Sequence, residues 1–286
     1  MFSLPRILLP VDFSERSNSA ARYARFLAAK FNSEVDVVHV VDVRTYGLLA
    51  LEPAEGPTGQ EHLAAGENLD AFISAHLGDV KTRTAVLYGD PAREITKYAH
   101  QHLASLVVMP THGRGPFRQF LLGSVTAKVL HDADCPVWTG VHDENSPVRD
   151  PLKFECILCA VDLSEAAVRP ITWAWEFSQA LGAGAALLHV APDWGVENPQ
   201  FFNGKVREHL MRKWTEELER LQQAAGSKAE VHIREGEIAR TTAAAAQELK
   251  ADLVVIGRGA ASGTLGRLRT FSYSIIRQSP CPVVSV

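Results

Sequence analysis

Cysteine is scarce in this sequence, and long hydrophobic runs are missing. The 286 residues contain four cysteines without the spacing of a disulfide framework, so we expect a reducing compartment, the cytoplasm. No apolar run approaches the ~18–20 residues that a transmembrane helix needs. The first residues have too short an apolar run, and no small-residue cleavage pattern, for a signal peptide. We therefore expect neither a membrane protein nor a disulfide-stabilised secreted domain.

A surplus of positive charge and the common enzyme motifs are also missing. The 29 Lys and Arg residues are outnumbered by 33 Asp and Glu residues, which argues against a nucleic-acid partner because phosphate neutralisation requires basic side chains. The chain has no Walker A loop, nucleophile elbow, metalloprotease zinc helix or dinucleotide-binding glycine fingerprint after its first strand. We expect no catalytic residues and no metal site, and at most a slow ATPase.

An internal repeat is the strongest feature that is present. Four segments recur in the same order, at offsets of 150, 150, 147 and 146 residues. Such a period is too long for a solenoid unit and indicates a duplicated domain. The polar, proline-containing stretch at 142–152 predicts domains at 1–142 and 152–286, packed as a pseudo-symmetric pair. The repeated segments are residues 11–15 and 161–165, 39–40 and 189–190, 105–109 and 252–256, and 135–137 and 281–283.

Short apolar runs alternate with helical stripes in both halves. This alternation predicts two α/β domains, each a doubly wound sheet of five parallel strands. The predicted strands lie at residues 6–11, 35–41, 82–87, 106–109 and 137–141, and again near 156–161, 185–190, 230–234, 252–257 and 282–286.

Candidate ligand-binding residues follow strands one, two and four, because such sheets bind ligands beyond the carboxyl ends of their strands. In the first half, a glycine-containing loop at residues 110–115 leads to Gly123 and Ser124, which open a helix. A glycine loop that feeds a helix N-terminus favours an anion, since backbone N–H groups and the helix dipole converge there. Ser124 is predicted to cap this helix and to donate its hydroxyl to a phosphate.

These segments together resemble the universal stress protein family. The resemblance rests on residues 11–15 (VDFSE), 39–42 (HVVD), 111–115 (THGRG), 121–125 (LLGSV) and 135–137 (CPV), and it covers nearly the whole chain as two domains in tandem. It implies a strand order of 3-2-1-4-5, a stress-response role and a homodimer that pairs through the last strand. One branch of the family binds ATP through Gly-x2-Gly-x9-Gly-Ser/Thr, so the implied ligand is ATP or another adenine nucleotide, with or without Mg²⁺.

The first half keeps most of that nucleotide motif and the second half departs from it. Pro110 stands where the leading glycine would be, whereas Arg269 and Thr270 replace the final Gly-Ser of the second half. We predict the main nucleotide site at Pro10, Val11, Asp12, Val40, Met109, Gly113, Arg114, Gly115, Gly123, Ser124, Val125 and Thr126. A weaker site, or an anion site of another kind, is predicted at Asp162, Val190, Gly257, Arg258, Arg267, Arg269 and Thr270.

Several alternatives remain open at this point. The chain can be a nucleotide-free dimerising scaffold, or a weak ATPase or self-phosphorylating enzyme that uses Ser124 or Thr126. Asp12 and Asp162 can also be turn or cap residues without a ligand. The two strand-end histidines, His39 and His189, are expected to make ordinary hydrogen bonds, and the cysteines at 156 and 159 to be structural.

Overall fold

A computed structural model describes residues 2–42, 59–113, 122–141, 152–192, 204–258 and 267–286, with the backbone alone at 59–61 and 267–270. The chain divides into two units, Ser3–Gly140 and Val141–Val286, the latter together with Met1–Phe2. We call them the N-terminal and the C-terminal unit.

The N-terminal unit contains five parallel strands in the order β3-β2-β1-β4-β5 within its described residues. The strands are β1 (Arg6–Pro10), β2 (Glu34–Val41), β3 (Thr82–Tyr88), β4 (Leu106–Met109) and β5 (Val137–Thr139). The helices are α1 (Glu15–Phe31), α2 (Gly59–His76), α3 (Pro91–Gln101) and α4 (Ser124–Asp132).

The described part of the C-terminal unit repeats this order as β8-β7-β6-β9-β10, again with parallel pairing. The predicted α/β fold with strand order 3-2-1-4-5 is therefore confirmed. The strands are β6 (Cys156–Ala160), β7 (Gly184–Ala191), β8 (Glu230–Glu235), β9 (Leu253–Ile256) and β10 (Val283–Ser285). The helices are α5 (Val168–Leu181), which follows a 3-10 turn at Glu165–Ala167, α6 (Gly204–Ala224), α7 (Ile238–Glu248) and α8 (Arg267–Gln278).

The same glycine turn follows the third strand of each unit. Gly89 and Gly236 have φ angles of +144° and +143°, in a region that residues other than glycine rarely adopt. Their N–H groups donate to the carbonyls of Val41 (3.1 Å) and Ala191 (3.0 Å), which ties each turn to the neighbouring strand. The duplication therefore extends to backbone conformation.

A polar cluster lies beneath α3 in the N-terminal unit. Asp36 is 1% exposed, and its carboxylate accepts a hydrogen bond from Arg6 Nη1 at 3.3 Å. Arg6 Nη2 reaches Glu34 at 3.2 Å, and burial raises the pKa of the Asp36 carboxyl although Arg6 acts in the opposite direction. Burial and the Asp36 charge raise the pKa of Tyr98.

The repeat gives the C-terminal unit an apolar version of this Arg6–Asp36 cluster. Cys156 and Ala186 occupy the positions of Arg6 and Asp36, and they lie at the same strand register. The fold therefore does not require a charged pair at these two positions.

All four cysteines are free thiols. Cys159 is buried and Cys156 half-buried, and burial raises the pKa of both thiols. A raised pKa keeps a thiol protonated and unreactive at neutral pH. This agrees with the predicted structural role.

Candidate functional site

The carboxyl ends of the strands meet at one edge of the N-terminal sheet. β1 pairs with β2 on one side and β4 on the other, all parallel, so Pro10, Val11, Asp12, Val40 and Met109 lie along this edge. This is the point where the strand order reverses, at which doubly wound folds bind ligands. Pro10, Val11 and Met109 are buried, whereas Asp12 and Val40 are half-buried.

Asp12 holds together the turn between β1 and α1. Its Oδ1 accepts hydrogen bonds from Ser14 N (3.0 Å), Ser14 Oγ (2.6 Å) and Ser17 Oγ (2.7 Å). The Asp12 backbone N–H donates to Ser17 Oγ at 3.1 Å, which closes the ring of contacts. Ser14 caps α1, as its position in the sequence suggests, while Asp12 fixes the approach to the cap.

The loop after β4 is fastened to both neighbours. Gly123 N–H donates to the Thr111 carbonyl at 2.9 Å, and Thr126 Oγ1 donates to the Pro110 carbonyl at 3.0 Å. A Cβ on Gly113 would clash with Asp12 Oδ2, and a Cβ on Gly123 would lie 3.0 Å from His112 Cα. Close packing inside the protein therefore favours glycine at both motif positions, whether or not a ligand approaches.

The expected capping role of Ser124 is wrong. The N-cap of α4 is Gly123, with φ −57° and ψ 140°, and no side chain of the described residues caps the helix. Ser124 is the first residue of α4 and is exposed. The first-turn N–H groups of a helix have no intrahelical acceptor, so an anion can bind at an uncapped start. Val125 is half-buried, while Thr126 is 3% exposed and uses its hydroxyl on Pro110. Arg114 and Gly115 lie outside the described residues.

The C-terminal unit has a cavity of about 600 Å³ at the equivalent edge of its sheet. This volume lies within the range of small-molecule sites, roughly 300–1,000 Å³. Four of the residues predicted here line it, namely Asp162, Val190, Gly257 and Arg258. Arg267, Arg269 and Thr270 belong to α8, but their side chains lie outside the described part.

Most of the other residues that line this cavity were missed by sequence reasoning, Thr242 and Phe271 among them. Thr242 of α7 is 1% exposed, and its hydroxyl finds no hydrogen-bond partner among the described residues. Phe271 of α8 lines the cavity while 36% of its surface stays exposed. The repeat contained a signal for the first of them, because Thr242 occupies the position of the buried Ile95.

The strand-end histidines make the expected hydrogen bonds. The Nδ1 atoms of His39 and His189 lie 2.8 Å and 3.1 Å from the carbonyls of Val11 and Val161. Burial lowers the pKa of His189, although the Val161 carbonyl and the Asp162 carboxylate act in the opposite direction. His189 also lines the cavity, so its neutral ring adds no charge there at neutral pH.

The lowered pKa of His189 predicts acid sensitivity of the C-terminal unit. The pKa of His189 in the folded protein lies below the unfolded value of about 6.5. Above about pH 6.5 His189 is neutral in both states, and its contribution to stability is complete. As the pH falls from there toward the folded pKa, only the unfolded state gains the proton, and this stability is lost. His189→Asn keeps a donor near the Nδ1 position but does not titrate. Between about pH 8 and pH 5, the urea midpoint of the wild type should fall more than that of the variant. Equal falls would contradict the assignment, and the exposed His209→Asn serves as the control.

The described segments show neither a metal cluster nor a membrane span. They contain no group of three or more His, Cys, Asp or Glu residues suited to a metal ion. Nor does any helix among them combine the length and hydropathy needed to cross a membrane.

Comparison with known proteins identifies the family of this chain. The model of the universal stress protein family matches residues 4–139 and again 153–286. The chain belongs to the universal stress protein family. It therefore carries two universal stress protein domains, and the predicted tandem arrangement is confirmed.

Individual relatives agree with this assignment. Universal stress protein MJ0531 of Methanocaldococcus jannaschii is 37% identical over 142 residues, which cover 46% of this chain and 79% of that protein. Universal stress protein MJ0577 of the same organism is 28% identical over 148 residues, covering 46% and 91%. A crystal structure of a universal stress protein from Archaeoglobus fulgidus covers 98% of this chain and 95% of its own, with 27% identity and a TM-score of 0.69.

Proposed function

We propose that this universal stress protein binds ATP or another adenine nucleotide, mainly in its N-terminal unit. The observation that carries the proposal is the uncapped start of α4, which Gly123 fastens to the loop after β4 at the strand-order reversal. Backbone N–H groups at such a start bind phosphate, and the helix dipole adds partial positive charge.

In this proposal, some of the predicted residues contact the nucleotide and others support the loop that holds it. The N–H groups of Ser124, Val125 and Thr126 would face a phosphate, with the exposed Ser124 hydroxyl available as a further donor. Asp12 and Gly113 support the loop from inside, and Val40 would border the adenosine. Mg²⁺ would enter with the phosphates, because no protein cluster for it occurs among the described residues.

The proposed role is sensing in a stress response rather than catalysis. A bound nucleotide changes the protein only if it binds one conformation more tightly than another. We place the protein in the cytoplasm, in keeping with its free thiols, and propose a homodimer. If the protein phosphorylates itself, Ser124 is the favoured acceptor, because the Thr126 hydroxyl is buried and donated to Pro110.

Titration of the full chain with ATP tests this proposal when combined with two glycine variants. Gly123→Ala should weaken ATP binding about tenfold or more, because the new Cβ pushes against His112 Cα and displaces the start of α4. Gly140→Ala is the matched control, since a Cβ there meets nothing within 4 Å. Calorimetry gives the affinities, and thermal unfolding checks that both variants fold.

Two outcomes would contradict the proposal. If Gly123→Ala binds ATP as tightly as Gly140→Ala, the phosphates are held elsewhere. If the wild type binds no adenine nucleotide, with or without Mg²⁺, the proposal fails and the scaffold alternative is favoured.

A further inference from the structure

The cavity of the C-terminal unit is walled largely by aliphatic side chains. Ala160 and Val161 line it at the end of β6, Leu188 from β7, and Ile238 and Ile275 from helices α7 and α8. Compared with the N-terminal unit, Ala160 stands in place of Pro10, and Gly257 in place of Pro110. An apolar wall favours the apolar part of a ligand, because its burial removes hydrocarbon from water.

Among the described residues, the charged groups that line the cavity balance one another. Asp162 and Glu165 contribute two carboxylates, and Arg169 and Arg258 contribute two guanidinium groups. Glu165 is paired with Arg220 at 2.6 Å, so part of its charge is already compensated. A lining with this balance suits a neutral or singly charged ligand better than a triphosphate, whose charges would need several basic partners.

Arg258 is held at the cavity wall by the last strand. Its backbone N–H donates to the Val286 carbonyl, and its Nη2 donates to the Ser285 carbonyl, both at 3.2 Å. A guanidinium held in place in this way offers a positive charge and charge-assisted hydrogen bonding to a carboxylate.

The Thr242 hydroxyl, which has no hydrogen-bond partner in the described part of the chain, is a second, independent sign of a ligand. A buried hydroxyl without a hydrogen-bond partner destabilises a protein, so native structures rarely keep one without reason. Its equivalent in the N-terminal unit is the apolar Ile95, which carries no such hydroxyl.

We propose that this cavity binds a small, largely apolar molecule carrying one carboxylate, with the carboxylate at Arg258 and the apolar body against the aliphatic wall. The site is separate from the nucleotide site proposed for the N-terminal unit. Phe271, at the exposed edge of the cavity, would cover the bound apolar body.

Octanoate and octanol are the probes that test this proposal on the full chain. They have the same apolar chain length but differ in the carboxylate, so calorimetry should show saturable octanoate binding that is about tenfold tighter than octanol binding. Arg258→Leu should remove this preference by weakening octanoate binding about tenfold and leaving octanol unchanged. Arg240→Leu, at an exposed position of α7 outside the cavity lining, is the matched control.

A filled-cavity variant keeps the proposal testable if Arg258→Leu does not fold. Ala160→Leu should weaken the binding of both probes, because it places three more carbon atoms at the apolar wall of the cavity. The proposal is overturned if octanoate does not bind, if Ala160→Leu binds it normally, or if Arg258→Leu behaves like Arg240→Leu. Competition between ATP and octanoate would also overturn it, since that would make the cavity a nucleotide site. Loss of ATP binding in Gly123→Ala would not change octanoate binding, so each proposal can fail without the other.

Discussion

Arg6→Met is expected to destabilise the N-terminal unit by about 3 kcal/mol. Asp36 is 1% exposed, and Arg6 Nη1 lies 3.3 Å from its carboxylate, so the variant leaves a buried charge without its cationic partner. The loss of unfolding free energy should be smaller at acidic pH, where Asp36 is protonated in both the folded and the unfolded state. Methionine retains most of the apolar stem of arginine, which separates the charge effect from a cavity effect.

The repeat supplies the control for this prediction. Arg6→Met combined with Asp36→Ala should recover much of the lost stability, because Cys156 and Ala186 show that the same fold accepts an uncharged pair at these positions. Fluorine NMR of 5-fluorotryptophan-labelled protein can follow urea unfolding of this unit alone, since Trp138 is its one tryptophan and is fully buried. A double variant that is less stable than Arg6→Met would refute the explanation.

Asp12→Ala is expected to have the second large effect. Oδ1 of Asp12 accepts three hydrogen bonds from Ser14 and Ser17, and their loss should destabilise the N-terminal unit by about 3 kcal/mol. The variant should also weaken ATP binding, because Asp12 Oδ2 lies beside Gly113 and supports the loop after β4. Urea unfolding and ATP calorimetry measure the two effects.

Asp162→Ala is the matched variant in the C-terminal unit. Asp162 is exposed and accepts two hydrogen bonds from Ser164, at 3.1 Å and 2.6 Å. The third hydrogen bond of the Asp12 turn has no equivalent here, because Ala167 stands in place of Ser17. We expect a loss of about 1 kcal/mol and no change in ATP affinity. Equal losses in the two variants would show that the third hydrogen bond does not stabilise the turn.

Sequence patterns predicted the fold well because they reflect local rules. Continuous apolar runs gave the buried parallel strands, the repeat gave two domains, and the strand-order reversal pointed to the edge where the Asp12 turn and α4 meet. The helix start was misplaced by one residue, because Gly123 and Ser124 are both acceptable N-caps and only the backbone angles decide between them.

The cavity was harder to foresee from the sequence. Its volume depends on how side chains from β6, β7, β9, α7 and α8 pack together, and no local pattern encodes that sum. The loop motif instead directed attention to the N-terminal unit. A comparison of the two repeats at buried positions would have revealed part of the cavity. Thr242 replaces the apolar Ile95 of the first repeat, and Gly257 replaces the larger Pro110.

Hydrogen exchange with and without ATP tests the central claim most directly, because it locates the nucleotide in the full chain. We predict slower exchange in the first turn of α4 and in residues 110–113. Segments 256–258 and 271–275, which contribute residues to the cavity lining, should not change. Protection at the cavity instead, or no protection anywhere at saturating ATP, would contradict nucleotide binding by the N-terminal unit.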